Sequence, residues 1–234
     1  MKISNETKAS LKEKFIRDIE NQILSGELKI GDKLPSEREM VEKMGVSLTI
    51  VNAGITELAS KGFVEIVPRQ GIFVSDYVHT GSISTLVSIM QYNNGKLSPR
   101  EVRSILKTRT VTEKLAIEDA IENASDEQIN KLERYIEQLK KAMDDFEYSS
   151  IVMDFFHEIH SMGENVLLPL MFHSFRVPAI NLYCKYIARN GREPVYRSVV
   201  DVYEGLRTRD AEKACNASYK ILYSAYNGET SITD

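Results

Sequence analysis

Residues 34–74 read LPSEREMVEKMGVSLTIVNAGITELASKGFVEIVPRQGIFV, and their local chemistry decides the fold of the N-terminal third of the chain. Ser36-Glu37-Arg38-Glu39 is a capping box: the Ser36 hydroxyl takes a free backbone N–H at Glu39 and the Glu39 carboxylate reaches back. Pro35 restricts the entry to this helix, and Gly45 closes it as a C′ glycine. Ser47 caps the next helix. There Val51, Ile55 and Leu58 recur at i, i+4 and i+7, which buries one face and leaves Thr49 and Asn52 on the other. Gly62 ends that helix. Residues 63–67 then read as a strand, Pro68-Arg69-Gln70-Gly71 as a turn, and residues 72–74 as the returning strand. Helix, short turn, helix and hairpin predict a winged helix-turn-helix. Its second helix suits the major groove of DNA, and the hairpin tip suits the neighbouring backbone or minor groove.

Upstream, Leu11, Phe15, Ile19 and Ile23 repeat every four residues, an amphipathic helix whose apolar stripe covers the other two. Residues 1–75 therefore make one unit of three helices and a hairpin wing. The polar stretch 76–82 reads as a linker. Beyond it helical periodicity dominates, with helices expected near 83–92, 99–122, 126–145, 148–162, 166–189, 193–207 and 210–226. Pro99, Pro169 and Pro194 fall early in their helices, where a missing N–H costs nothing. Pro178 falls inside the 166–189 segment and predicts a kink. The fold class is mainly α, a winged helix-turn-helix joined to an all-α helical bundle. The bundle spans 83–228, residues 229–234 form a tail, and the bundle is large enough to enclose a ligand.

The composition sets outer limits. The chain has 234 residues, 42% of them hydrophobic, with a net charge of −4 and two cysteines. No apolar run approaches a membrane span, and the N-terminus lacks the apolar core of a signal peptide. Cys184 and Cys215 have no metal-type spacing and are too few for a disulfide framework. A cytoplasmic protein with free thiols, and without a membrane partner, is the simplest account. Residues 1–75 carry as many acidic as basic side chains, so a positive footprint for DNA must come from local placement of residues such as Lys43, Lys61 and Arg69.

With both halves placed, the sequence resembles a transcription regulator of the GntR family, FadR-like branch. The resemblance is carried by LPSERE, GVS and PRQGIFV in the first half, with Ile72 at a usual Thr position. In the second half it is carried by LKTRTVTEKLAIEDA, FFHEIHSMGEN and EGLRTRDAEKA. It implies a homodimer that reads a palindromic double-stranded operator and responds to a small-molecule effector in the helical domain. Arg38 matches a family DNA contact, and Arg69, Gln70 and Gly71 match the wing tip. Lys43, Ser47, Leu48, Thr49 and Asn52 complete the expected DNA-binding set. Family members often carry arginines at the positions of Leu48 and Asn52. Here Asn52 can read adenine bidentately and Leu48 or Thr49 can meet a thymine methyl, which points to an A·T-richer operator.

Many relatives in this branch hold a divalent metal with one Asp and three His. This chain keeps His157, but Met153, Val199 and Ile221 occupy the other three positions. Asp154 and His157 share a helix face, yet two ligands from one helix make a poor site. The expectation is no metal or cofactor, and an effector of organic-acid or acyl-CoA type. Arg109, among apolar neighbours, either pairs with a carboxylate such as Glu113 or Asp154 or awaits an anionic ligand. Arg176 is a second candidate. Phe172, Tyr183, Tyr186, Tyr219 and Tyr223 suit an apolar ligand, though such stripes on bundle helices are more often core. HEIH at 157–160 is not the zinc-protease HExxH, and no nucleophile or phosphate-loop motif is present. An enzyme is therefore not expected. A constitutive DNA-binding protein whose helical domain only dimerises is the alternative reading.

Overall fold

The structure, a computed structural model, describes residues 5–92 and 97–233. Contacts divide the chain into two compact units, residues 1–96 and 97–234. In the first, α1 (Asn5–Leu24), α2 (Glu37–Met44) and α3 (Leu48–Ser60) precede a hairpin of β1 (Val64–Val67) and β2 (Gly71–Val74). The expected local chemistry is in place. Ser36 and Glu39 form the reciprocal capping box, Gly45 is left-handed at φ 65°, and Ser47 caps α3. Phe15, Ile19 and Ile23 of α1 pack on Met40, Val51, Ile55 and Leu58 in one core. The helices approach closely because Gly54 has no side chain: a Cβ there would lie 2.3 Å from the Phe15 ring.

The hairpin has a third rung that the sequence did not announce. Lys33 bridges to Phe73, and Leu34 N–H donates to Ile72 O at 2.8 Å. The segment ahead of α2 is thus strapped to β2, and the wing is held from both sides.

Residues 76–82, read from sequence as a linker, contain the short helix α4 (Tyr77–Thr80), and α5 (Ile83–Gln91) follows. Both belong to the first unit. The Phe63 and Tyr77 rings lie 5.5 Å apart, Thr85 donates to Lys61 O, and Ser88 Oγ donates to the buried Glu20 carboxylate at 2.9 Å. Lys61 Nζ reaches the same carboxylate at 2.9 Å. The polar character of 76–88 therefore reflects capping and buried hydrogen bonds as well as solvent exposure. The expected bundle start at residue 83 lies upstream of the division found by contacts.

The second unit is all helical. It comprises α6 (Pro99–Asn123), α7 (Asp126–Asn130), α8 (Glu133–Leu139), α9 (Asp145–His160), α10 (Leu168–Ser174), α11 (Arg176–Asn190), α12 (Glu193–Arg207) and α13 (Ala211–Tyr226). Ser98 and Glu101 cap α6 reciprocally, with Pro99 at the first position. The single helix expected over 126–145 is two short ones that part at Lys131–Leu132 and end at Leu139, and Asp144, in extended conformation, caps α9. The segment 166–189 is likewise divided, at Phe175. Pro178 sits in the first turn of α11 and produces a new start rather than a mid-helix kink. The expected tail is folded in: Gly228, at φ 85°, turns the chain back and Ile232 is buried. There Ile232 N–H donates to Ala225 O at 2.8 Å, and Lys185 Nζ and Asn190 Nδ2 donate to Ile232 O and Thr230 O.

Gly54→Val would drive two methyl groups into the Phe15 ring, which is itself buried. The expected result is a loss of about 2 kcal/mol in the N-terminal unit, overpacking outweighing the helix-propensity gain. Urea unfolding followed by circular dichroism measures it, and an unchanged midpoint would contradict the close approach.

Candidate nucleic-acid interface and effector site

The buried stripe of α3 turns Leu48, Thr49 and Asn52 to the outside, where all three are exposed. Ser47 spends its hydroxyl oxygen as the cap, accepting from Ile50 N–H at 3.4 Å. Arg38 and Lys43 are exposed on α2. At the wing tip Arg69 adopts φ 65° and Gly71 φ 126°, so the turn lifts Arg69 and Gln70 clear of the hairpin. A cleft of about 800 Å³ lies between this tip and the capping box at Ser36–Glu39. Ile66, on the outer face of β1, is an exposed apolar residue that sequence reading passed over.

In the helical unit, Arg109 and Glu113 are 2% and 1% exposed and pair on one face of α6. Arg109 Nε donates to Glu113 Oε1 at 2.9 Å, and its Nη2 also donates to the Tyr183 hydroxyl at 3.0 Å. Ser218 of α13 donates to the other Glu113 oxygen. The Arg109 guanidinium lies 5.0 Å from the Tyr183 ring centroid and 5.7 Å from that of Phe172. Burial opposes its charge, but Glu113 and Tyr183 more than offset that, and its pKa lies above the ordinary arginine value. Burial raises the Tyr183 pKa, against the pull of Arg109. Of the two readings of Arg109, internal pairing is the one present. Ser218 was the unannounced partner, since a serine on a bundle helix carries no signal of its own.

The other candidates divide. Asp154 pairs with Arg176 at 2.5 Å across α9 and α11, so these two belong together and at the edge. His157 is half-buried, its ring 5.7 Å from His173 and 6.2 Å from Phe172. Tyr219 is exposed on the outer side of α13 and does not join the interior group. His160 does point inward. Its ring stacks on Phe172 at 4.1 Å and its Nδ1 meets Phe156 O at 2.7 Å. That bond makes Nδ1 the protonated nitrogen and leaves a buried Nε2 lone pair that no protein group meets among the described residues. Burial, with smaller pushes from Arg109 and His157 and against the Phe156 carbonyl, holds the His160 pKa down to about 4. Beside Arg109 the interior is almost filled. The cavity lined by Leu106, Tyr183, Tyr186, Leu222 and Ile232 has a volume of about 10 Å³, against roughly 300–1,000 Å³ for ligand pockets.

A metal of the kind held by Asp and His ligands does not fit these residues. Met153 is buried where an acidic ligand would be needed, Val199 and Ile221 offer no donor atom, and Asp154 is engaged by Arg176. Among the described residues no three His, Cys, Asp or Glu side chains converge.

An exposed helix-turn-helix with a wing, followed by a helical bundle with a buried polar centre, is the build of a DNA-binding regulator with a sensor domain. Residues 11–74 match the bacterial regulatory proteins of the gntR family, and residues 104–223 match the FCD domain. The chain belongs to the GntR regulators that carry an FCD domain, and the family is one of transcriptional regulators, not enzymes. It is 29% identical over 178 residues to the HTH-type transcriptional regulator Mce2R of Mycobacterium tuberculosis, covering 75% of this chain and 73% of that one. It is 28% identical over 180 residues to the fatty acid metabolism regulator protein of Shewanella halifaxensis, covering 75% and 71%. The solved structure of Lar, which controls expression of the Listeria monocytogenes agr system, shares the fold with a TM-score of 0.63 at 16% identity over 97% of both chains. No helix among the described residues is long and apolar enough to cross a membrane.

Two measurements test the interior. Glu113→Ala strands the Arg109 charge and is expected to cost about 3–5 kcal/mol, whereas Arg109→Met with Glu113→Leu removes both charges and costs far less. Denaturant midpoints of the two variants decide it. His160 titrates near 6.5 when unfolded and about 4 when folded, so the unfolded state binds more protons between these values. Its contribution is whole above about pH 6.5 and is lost at up to about 1.4 kcal/mol per pH unit as the pH falls toward 4. His160→Phe should flatten the stability profile over that window, and an identical slope in both proteins would show that His160 does not carry it.

Proposed function

We propose that this chain is a cytoplasmic regulator that binds a palindromic operator as a homodimer and changes its DNA affinity when a small molecule occupies the helical domain. The observation that carries the DNA half is the outward face of α3, with Leu48, Thr49 and Asn52 exposed and the Arg69-Gln70 wing tip beside it. Two such units reading half-sites one helical turn apart require two copies. Asn52 pairs with adenine, Leu48 and Thr49 meet thymine methyl groups, and Arg38, Lys43 and Arg69 hold phosphates. The resulting operator is richer in A·T than one read by arginines.

For the sensor half, the Arg109–Glu113–Tyr183 group is the polar end of the effector site, and Phe172 and Tyr186 belong to its apolar wall. An organic acid or an acyl chain with an anionic head competes with Glu113 for Arg109. Binding repacks the bundle and alters the spacing of the two recognition helices, so operator DNA and effector weaken each other by the same factor. The nearly filled interior favours a second reading, in which the helical domain only dimerises. Thermal-shift screening with organic acids and acyl-CoAs separates the two, since a ligand of the native state raises apparent stability.

Selection of bound sequences from random duplex DNA tests the whole reading, and a two-fold symmetric consensus with A·T pairs opposite Asn52 is expected. In anisotropy titrations Asn52→Ala should cost about 1–3 kcal/mol per half-site and relax the preference there. Arg38→Ala should weaken all sequences alike and lower the salt slope by about 1 per protomer. A guanine-anchored palindrome would overturn this base-reading scheme.

A further inference from the structure

Beyond α13, Gly228 turns the chain back, and residues 230–233 lie against the bundle as neither helix nor strand. Ile232 is nevertheless 1% exposed. Its side chain walls the small cavity at Arg109, together with Leu106, Leu182, Leu222 and Ala225. An outer groove of about 530 Å³ lies beside that cavity. Tyr186 and Ile221 line both spaces, and the same returning segment supplies Thr230 to the groove and Ile232 to the cavity. The segment therefore follows the boundary between a buried arginine with almost no room beside it and a groove of ligand size.

The hold on this segment is light. Of residues 230–233 only Ile232 is apolar. Ile232 N–H donates to Ala225 O at 2.8 Å, and Thr230 Oγ1 donates to Ser224 O at 3.2 Å. In return Asn190 Nδ2 donates to Thr230 O at 3.2 Å, and Lys185 Nζ to Ile232 O at 2.5 Å. The Lys185 side chain is exposed, so water competes for its ammonium group. The buried Ser231 and Thr233 hydroxyls bond to each other at 2.8 Å, a contact that stays within the segment. An irregular stretch held by one aliphatic side chain and a few hydrogen bonds opens at a lower free energy than the domain as a whole. What replaces it is set by the two ends of the space. A molecule in the place of Ile232 must be aliphatic there and anionic at Arg109. The groove, whose lining includes Pro194, Ala217 and Lys220, has room for the rest.

We infer that residues 228–233 are a displaceable plug: Ile232 occupies the place of the aliphatic chain of a carboxylate effector, which reaches Arg109 only by expelling it. This rests on the effector reading above and adds the element of the chain that the effector competes with. A closed plug divides the affinity by the fraction of molecules that are open, so loosening the segment tightens binding. The test is isothermal titration of the full chain with sodium octanoate, comparing wild type, K185A, I232A and R109M/E113L. Hydrogen exchange by mass spectrometry, with and without octanoate, follows the segment itself, and circular dichroism melting checks that each variant is folded. Lys185→Ala removes a bond to the plug and leaves the lining of cavity and groove unchanged. Loss of a surface cation would by itself disfavour an anion, so tighter binding reports the plug. K185A should lower the dissociation constant about 10-fold, the scale of one released hydrogen bond to a charged group. I232A should lower it at least as far, and R109M/E113L should abolish binding. Octanoate should speed exchange at the Ile232 amide while slowing it in α6 and α11. Binding to K185A or I232A but not to wild type would support the plug as well. Wild-type binding that needs Arg109, with K185A no tighter and exchange in the segment unchanged or slowed, would keep the effector reading and overturn the plug. Absence of binding in every variant, or binding that R109M/E113L retains, would sink the effector reading at Arg109 and the plug with it.

Discussion

The helical unit is organised by one constraint, the buried ion pair of Arg109 and Glu113. Burying two opposite charges gives up several kcal/mol of hydration per ion, and the pair is tolerable only if nearly every donor and lone pair finds a partner. Their i, i+4 spacing lets one turn of α6 bring them together before any other helix docks. Completion needs Tyr183 from α11 and Ser218 from α13, and the Phe172 ring of α10 lies against the guanidinium. Each of these fixes one helix relative to α6. The pair therefore sets the rotation of α6 about its own axis, and with it the outward direction of Val111 and Leu115 two residues on.

The N-terminal unit shows the same logic without charges. Gly54 lets α3 settle against Phe15 of α1, and that contact fixes which face of α3 is buried. Leu48, Thr49 and Asn52 are exposed as a consequence of that rotation, so this outward face, the proposed reading surface, is defined by packing on its far side. The wing is positioned by the Lys33–Phe73 bridge together with its own register of Val64 to Val74 and Val67 to Gly71. In both units an exposed face lies opposite a tightly specified contact.

What could be read in advance follows from the range of the interactions concerned. The capping box at Ser36, the cap at Ser47, the left-handed Gly45, and the stripes on α1 and α3 all act within a few residues, and each was legible. The division at Phe175 was harder, because Pro178 fits a kink and a first turn equally well and only packing decides. Residues 76–82 read as a linker and 229–234 as a tail because sequence does not show where polar groups find distant partners. Ser88 to Glu20 spans 68 residues, and Lys185 to Ile232 spans 47. Tyr219 was placed with the interior by its aromatic character, although Tyr side chains also favour exposed interfaces. Arg109 and Glu113 were visible as candidates, but their mutual satisfaction depends on geometry that spacing leaves open.

That satisfaction changes what an effector must do. Glu113, the hydroxyl and ring of Tyr183 and the Phe172 ring already surround Arg109, and the adjoining cavity has almost no free volume. An anionic ligand reaching Arg109 would have to take the place of Glu113, leaving that carboxylate buried with Ser218 as its remaining partner. The cost of stranding it is recovered only if α6 or α13 shifts, since both ends of the interaction sit on those two helices. The same helices carry the exposed face of Val111, Leu115, Tyr219 and Tyr223. A group that acts on Arg109 therefore acts on that exposed face as well. No separate relay through the bundle is required.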